Sequence, residues 1–360
     1  MEQLRALGGR AAWTGADLRA DQKGWRLPLS QESLAEIDVA LRHAQGLGLA
    51  WDAVTAETFP LDGFAGEIAN AADELENGRG VVQFKGLPVE RYDAKARKTV
   101  FFGISSHLGR AVYQSAKGEL LGEIRDEGAN VGQIRGQMQN ADGTSFLSSR
   151  ARAQSAAPLR WHTDRTDVVG LLAVGQAAKG GESRLSSAVA IHDEMIARRP
   201  DLAALLYGDI HRSRLGEEAD GADSTYGLPV FTVTDGRFAS HYSRTYVEAA
   251  QKLEGTSPMS AAQWEALDLL AELGDELCFE MELEPGDMQF LNNHIVYHAR
   301  SDFQDDPARG RIRNLYRVWL AMPNSRRLAS CFQELFGSIE AGELRGGIHH
   351  HQTGVNAPMS

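Results

Sequence analysis

The segment Arg160-Trp161-His162-Thr163-Asp164-Arg165 is the stretch whose residue types and spacing could do chemistry. On an extended strand, residues two apart face the same side, so an imidazole at 162 and a carboxylate at 164 can reach one point. These are two of the three ligands of a 2-His-1-carboxylate facial triad, which leaves coordination positions open on Fe(II). His-x-Asp alone is common on surfaces and in turns, so a third ligand has to come from elsewhere. Asn292-Asn293-His294-Ile295-Val296-Tyr297-His298-Ala299-Arg300 offers one, after the turn Pro285-Gly286-Asp287-Met288. His298 is the better candidate. His294 lies four residues away, where strand alternation places it on the same face, and either histidine alone reads equally well as a hydrogen-bonded residue of core or surface.

In Arg311-Ile312-Arg313-Asn314-Leu315-Tyr316-Arg317-Val318-Trp319-Leu320, Arg313 and Arg317 alternate with apolar positions. The strand otherwise reads as buried. An unpaired buried guanidinium is very costly, and bidentate capture of a carboxylate is the usual reason to place one inside. Ion pairs with some of the 49 acidic residues are the plainer alternative.

Four motifs together, WHTD (161–164), GGES (180–183), EPGDMQFLNNHIVYHAR (284–300) and RIRNLYRVWL (311–320), resemble the iron(II)- and 2-oxoglutarate-dependent dioxygenases of the taurine dioxygenase (TauD/TfdA) family, with its clavaminate synthase-like fold. The spacing agrees, with His298 lying 136 positions after His162 and Arg313 15 positions after His298. The resemblance implies that His162, Asp164 and His298 hold Fe(II). It implies that Arg313 grips the distal carboxylate of 2-oxoglutarate, and that Ser183, at the Thr position of the family's Gly-Gly-Asp/Glu-Thr motif, helps to hold this cosubstrate. Arg317 matches a second arginine used for an acidic group of substrate or cosubstrate. The implied reaction consumes O2 and 2-oxoglutarate, releases succinate and CO2, and hydroxylates, desaturates or cyclises a small polar substrate such as an amino acid. Three positions depart from the pattern: Asn292 stands where Asp is commoner, His294 replaces Arg, and Ser183 replaces Thr. Asp164, where a halogenase has Gly or Ala, argues against halogenation.

For the substrate, Gln114 and Arg125, with Glu123 and Asp126, are candidate contacts on the strand and loop around 118–128. Trp161 and Trp319 flank the site, and His241-Tyr242-Ser243-Arg244 offers a lid or a second carboxylate clamp. Two other classes stay open. A zinc hydrolase could use the same His/Asp/His set with a bound water, and a non-catalytic small-molecule-binding β-barrel would account for the arginines alone.

The elements that must position these residues follow from patterning. Helices are expected at 31–58, capped by Ser30 or Ser33, at 64–77, and from Asp93 to near Gly109. Short apolar or alternating runs at 79–88, 119–125, 168–176, 184–190, 229–233, 276–283, 288–291 and 312–321 read as a mostly antiparallel β pattern. Helical inserts are expected from Ala190 with a break at Pro200, over 240–253 after an Asp235-Gly236 hairpin, and from Ser260 to Gly274. The expected class is α+β with a mainly β core, a double-stranded β-helix (jelly-roll, cupin-like) with N-terminal helices and helical inserts. One domain is expected over 1–360, with a helical layer at 1–110, the β core at 111–325 and a C-terminal extension at 326–360.

A formal charge of −12 and a composition 42% hydrophobic and 24% charged describe an ordinary acidic globular chain. That balance excludes nucleic acid as a natural partner. No apolar run approaches the ~20 residues that span a bilayer, and the start MEQLRALGGRAAW lacks the core of a signal peptide. A cytoplasmic location is expected, with two unrelated cysteines, Cys278 and Cys331, and no disulfide. The partner expected is a small-molecule substrate; a homo-oligomer is left open. His349-His350-His351 reads as a loose or partner-ordered tail with metal-binding composition.

Overall fold

The computed structural model describes residues 4–128, 130–132, 137–139, 145–147, 149–214, 223–350 and 355–358. Two sheets face each other. The larger contains β1 (Arg26–Pro28), β2 (Val81–Lys85), β3 (Arg110–Ala111), β4 (Leu121–Ile124), β6 (Val168–Gly175), β9 (Met288–Asn292) and β11 (Asn314–Ala321). Its order is β1-β2-β9-β6-β11-β3, and β4 also pairs with β11. The smaller contains β5 (Leu159–His162), β7 (Ser183–Ser187), β8 (Phe279–Met281) and β10 (Val296–Arg300), in the order β8-β7-β10-β5. This is the double-stranded β-helix.

The larger sheet reads as unbroken apolar sequence because both faces are covered. Its outward residues, among them Val168, Leu172, Phe290, Tyr316 and Val318, share a core with Ile37, Leu41, Ile68, Leu75, Phe101 and Ile104 of the helices Gln31–Gly46, Ala65–Asn77 and Ala94–Leu108. The alternate set, Val169, Ala173, Leu291, Leu315 and Trp319, belongs to a second core that the inserted helices Ala188–Arg198, Pro200–Leu205 and Ala261–Glu276 also enter.

Local chemistry accounts for most element ends. Ser30, Asp93 and Ser260 each accept a backbone N–H three residues on. Pro200 opens a new helix directly after Arg199. Asp235 and Gly236 both take left-handed backbone angles between Phe231–Thr234 and Arg237–Ser240. The helix expected over 31–58 stops at Gly46, because Gly48 turns left-handed at φ 70° and a short 3-10 turn follows at Trp51–Ala53. The strand expected to 190 ends at Ser187, whose hydroxyl caps the next helix, and the insert expected at 240–253 is helical only over Arg244–Ala250. The helix expected to stop at Gly274 continues to Glu276; this glycine lies within the helix, where a Cβ would come 2.9 Å from the Trp161 indole nitrogen. Among the described residues no helix is long and apolar enough to cross a membrane.

Candidate active site

Antiparallel pairing brings the distant ligand candidates together. In the smaller sheet His298 of β10 lies opposite His162 of β5 on one side and Leu185 of β7 on the other, and Ser183 lies opposite Arg300. Directly paired residues share a face, so Ser183, His162 and His298 all look into the space between the sheets. Asp164 follows two residues after the end of β5. The His162 and His298 rings stand 4.1 Å apart, and their Nε2 atoms lie 4.0 and 3.8 Å from the Asp164 oxygens. Those separations are too long for hydrogen bonds. The three side chains are buried and converge on a common point without satisfying one another, and they form the single group of metal-binding type found among the described residues.

The surroundings hold each ligand in the form a cation needs. His162 donates from Nδ1 to the Arg160 carbonyl at 2.8 Å, which leaves the Nε2 lone pair facing Asp164. Burial keeps His162 below its ordinary value, and burial with the neighbouring His162 pushes His298 down to about 3, so both rings stay neutral at pH 7. Burial pushes the Asp164 carboxyl up, but Arg317, His298, His162 and the Trp319 indole outweigh it and keep the group ionised. Trp319 Nε1 donates to Asp164 Oδ2 at 3.0 Å, and the Asp164 N–H donates to Asn293 Oδ1 at 3.0 Å. This is a neutral, neutral and anionic donor set of the 2-His-1-carboxylate kind, and it fits Fe(II).

Arg313 tests the fit of a dicarboxylate. It precedes β11 rather than lying within it, it is buried, and its Nη1 has no hydrogen-bond partner among the described residues. Burial and nearby Arg300 lower its pKa to about 9, against a small opposing effect of Asp305. A buried guanidinium left in this state lacks an anion. Arg313 lines one chamber with Ser183, Gln289, Arg300 and the three metal-ligand candidates. Ser183 Oγ donates to Gln289 Oε1 at 3.2 Å.

A second chamber of about 400 Å³ opens beside the same centre. His162, Asp164 and Arg317 border both chambers. Arg317 Nε donates to Gln114 Oε1 at 2.7 Å, and the Gln114 amide donates to the Leu120 and Arg317 carbonyls, so Gln114 lines the cavity while holding Arg317 beside Asp164. Arg125 lies exposed at the cavity rim. Glu123 lines it while paired to Lys98 at 2.7 Å, and Asp126 accepts from the Gly128 N–H.

Four expectations place residues where the fold does not. Trp161 alternates with His162 and faces out of the β-helix, where its indole donates to Asp275 and packs on Gly274; only Trp319 walls the cavity. His294 is not on the His298 face, because residues 293–295 form the turn before β10, and its Nε2 donates to buried Asp167 instead. Of residues 241–244, His241 lines the cavity, whereas Arg244 is spent on Glu248 and Asp268. His350 packs on Tyr113 rather than hanging free, and His351 lies outside the described residues. Gln289 and Arg300 escaped the reading of the sequence. Gln289 was detectable as a lone polar side chain in the apolar run 288–291.

Comparisons agree with this geometry. The profile of the "Taurine catabolism dioxygenase TauD, TfdA family" matches residues 44–319. The chain is 29% identical over 332 residues to the FR-33289 synthase of Streptomyces rubellomurinus (strain ATCC 31215), covering 89% of this chain and 91% of that protein. It is 28% identical over 306 residues to the taurine hydroxylase-like protein SAT17 of Stachybotrys chartarum (strain CBS 109288 / IBT 7711), covering 82% and 75%. Among solved structures, an asparagine oxygenase with Fe(II), 2S,3S-3-hydroxyasparagine and succinate superposes at TM-score 0.63 and 15% identity, over 82% of this chain and 93% of that one. The non-heme iron oxygenase OrfP with Fe and alpha-ketoglutaric acid superposes at TM-score 0.57 and 15% identity, over 89% and 99%. This chain belongs to the TauD/TfdA family and is an Fe(II)- and 2-oxoglutarate-dependent dioxygenase.

Proposed function

We propose that this dioxygenase hydroxylates a C–H bond of a small, polar, amino-acid-like substrate, with His162, Asp164 and His298 as its iron ligands and residues 1–360 acting as one domain. The observation that carries the reading is the buried Arg313 guanidinium, whose Nη1 has no hydrogen-bond partner among the described residues, in a chamber that shares His162 and Asp164 with a larger cavity. Two proteins of similar fold support the substrate class, an asparagine oxygenase solved with 2S,3S-3-hydroxyasparagine and the non-heme iron oxygenase OrfP solved with (3S)-hydroxy-L-Arg.

When bound, Fe(II) with 2-oxoglutarate supplies the oxidising chemistry that yields succinate and CO2. This chain's residues do the rest. Arg313 would pair with the distal carboxylate of 2-oxoglutarate, and the Ser183 hydroxyl, turned from Gln289, would donate to the same group. Arg317, held by Gln114, presents its cation to an acidic group of the substrate. Trp319 holds the Asp164 carboxylate in place, and His241 offers a neutral ring to the cavity, since burial and Arg212 keep its pKa well below the ordinary value. The zinc-hydrolase reading leaves Arg313 buried without a purpose.

Anaerobic addition of Fe(II) and 2-oxoglutarate should give the visible charge-transfer band of the chelate. His162→Ala should abolish both the band and stoichiometric iron binding. No band in the parent protein, or unchanged iron stoichiometry in the variant, would overturn the assignment. A succinate-release screen over amino acids, sulfonates and phenoxy acids then tests the substrate class, and turnover confined to the last two would reject it.

A further inference from the structure

The family match ends at residue 319, yet residues 345–347 lie against the loop that carries Asp164. This loop, residues 163–167, joins β5 to β6. Three consecutive residues of the C-terminal segment meet the three residues that follow Asp164. Arg345, fully buried, donates from Nε to Asp167 Oδ1 at 2.8 Å. Gly346 has φ 78°, and a Cβ there would come 2.8 Å from the Arg165 carbonyl oxygen and 3.1 Å from Thr166 Cα. The Gly347 N–H donates to the Arg165 carbonyl at 2.7 Å. Both glycines hold left-handed backbone angles that L side chains rarely adopt. Next in the chain, Ile348 donates its N–H to the Tyr113 carbonyl and lines the larger cavity.

Asp167 is the junction. Its carboxylate also accepts from His294 Nε2 at 2.8 Å and from the Met322 N–H at 3.0 Å. Burial holds the His294 pKa below its ordinary value, which favours a neutral ring at pH 7, and Arg345 supplies the countercharge in contact with this buried carboxylate. Without it, a charge three residues from a metal ligand would lack compensation, and the loop would lose its hold on the side facing the C-terminal segment. We propose that Arg345, with Gly346 and Gly347, is a positioning element of the metal centre. It holds the Asp164 loop in register with β10, so the C-terminal segment is a working part of the active site. The proposal rests on the assignment of His162, Asp164 and His298 as metal ligands.

The test uses the full-length protein and Mn(II), titrated by calorimetry and by electron paramagnetic resonance, without substrate. Arg345→Ala and Gly346→Ala should each weaken Mn(II) binding roughly tenfold or more, as removal of supporting contacts around a metal site does. Arg345→Lys, which keeps the charge, should recover part of the loss. Ile37→Ala, in the core beneath the helix Gln31–Gly46, serves as a control that lowers thermal stability without touching the loop. Mn(II) affinity of both site variants no weaker than that of this control would overturn the proposal and leave the segment a purely structural anchor. If Arg345→Ala does not fold, Gly346→Ala decides, because it leaves the ion pair in place and displaces only the backbone contact. Failure of the parent protein to bind Mn(II) would instead remove the metal-ligand assignment on which the proposal rests.

Discussion

Arg313 and Arg317 resemble each other in sequence and differ in circumstance. Arg317 is half-buried, with a hydrogen bond to Gln114, a carboxylate 3.7 Å away and its guanidinium over the Trp319 ring. Arg313 is buried beside the cation of Arg300, and its guanidinium stacks on Phe303 at 5.4 Å. A cation held this way binds an anion strongly, because the desolvation cost is already met in the folded chain. Truncating one partner of a buried charge pair costs roughly 2–5 kcal/mol. Arg313→Ala should therefore raise the apparent Kd for 2-oxoglutarate at least about thirtyfold, read by titrating the charge-transfer band, while Mn(II) affinity stays near that of the parent protein.

At the scale of elements, the centre depends on the pairing of β5 with β10. A slip of one residue would turn His162 outward and Trp161 inward. Trp161 opposes that slip, since its indole is seated outside the β-helix on the helix Ala261–Glu276, donating to Asp275 at 2.9 Å. Gly274 makes this seat. Helix propensity alone predicts that Gly274→Ala stabilises by up to about 1 kcal/mol. The contact reverses the sign, because the Cβ would stand 2.9–3.1 Å from three atoms of a rigid ring. Thermal unfolding of Gly274→Ala should show a loss of about 1–3 kcal/mol; an increase in Tm would refute the role of this close approach.

At the scale of the molecule, an acidic chain of formal charge −12 encloses a cationic interior at Arg300, Arg313 and Arg317. Its buried network also sets its response to acid. Burial holds His294 below its ordinary 6.5, so the unfolded chain binds that proton first and stability falls as pH drops through 6.5. Burial raises Asp167, but the bond from His294 and the charge of Arg345 hold it below 3.8, so its contribution is present above that pH and lost below it. Both act in one direction. Urea unfolding midpoints should fall from pH 7 to pH 5 and again below pH 4. His294→Gln should flatten the first fall by up to about 1.4 kcal/mol per pH unit and leave the second in place; an unchanged slope would show that His294 does not titrate on unfolding.

Much of this was legible in the sequence because it is local or periodic. Caps at Ser30, Asp93 and Ser260, the Asp235-Gly236 turn and the apolar runs of the larger sheet are each decided within a few residues. The His-x-Asp pair with a distant histidine and arginine named the chemistry through the resemblance of four motifs to the TauD/TfdA family. The tertiary structure decided what depends on approach from elsewhere in the chain. It turned His294 away from the centre, put Trp161 outside and Trp319 inside, and left Arg313 Nη1 without a hydrogen-bond partner among the described residues while giving Gln114 to Arg317. It also drew Arg345 to Asp167, across 178 positions of sequence. The physical reason is that a buried charge takes its meaning from the groups that replace water around it, and only the folded chain determines which groups those are.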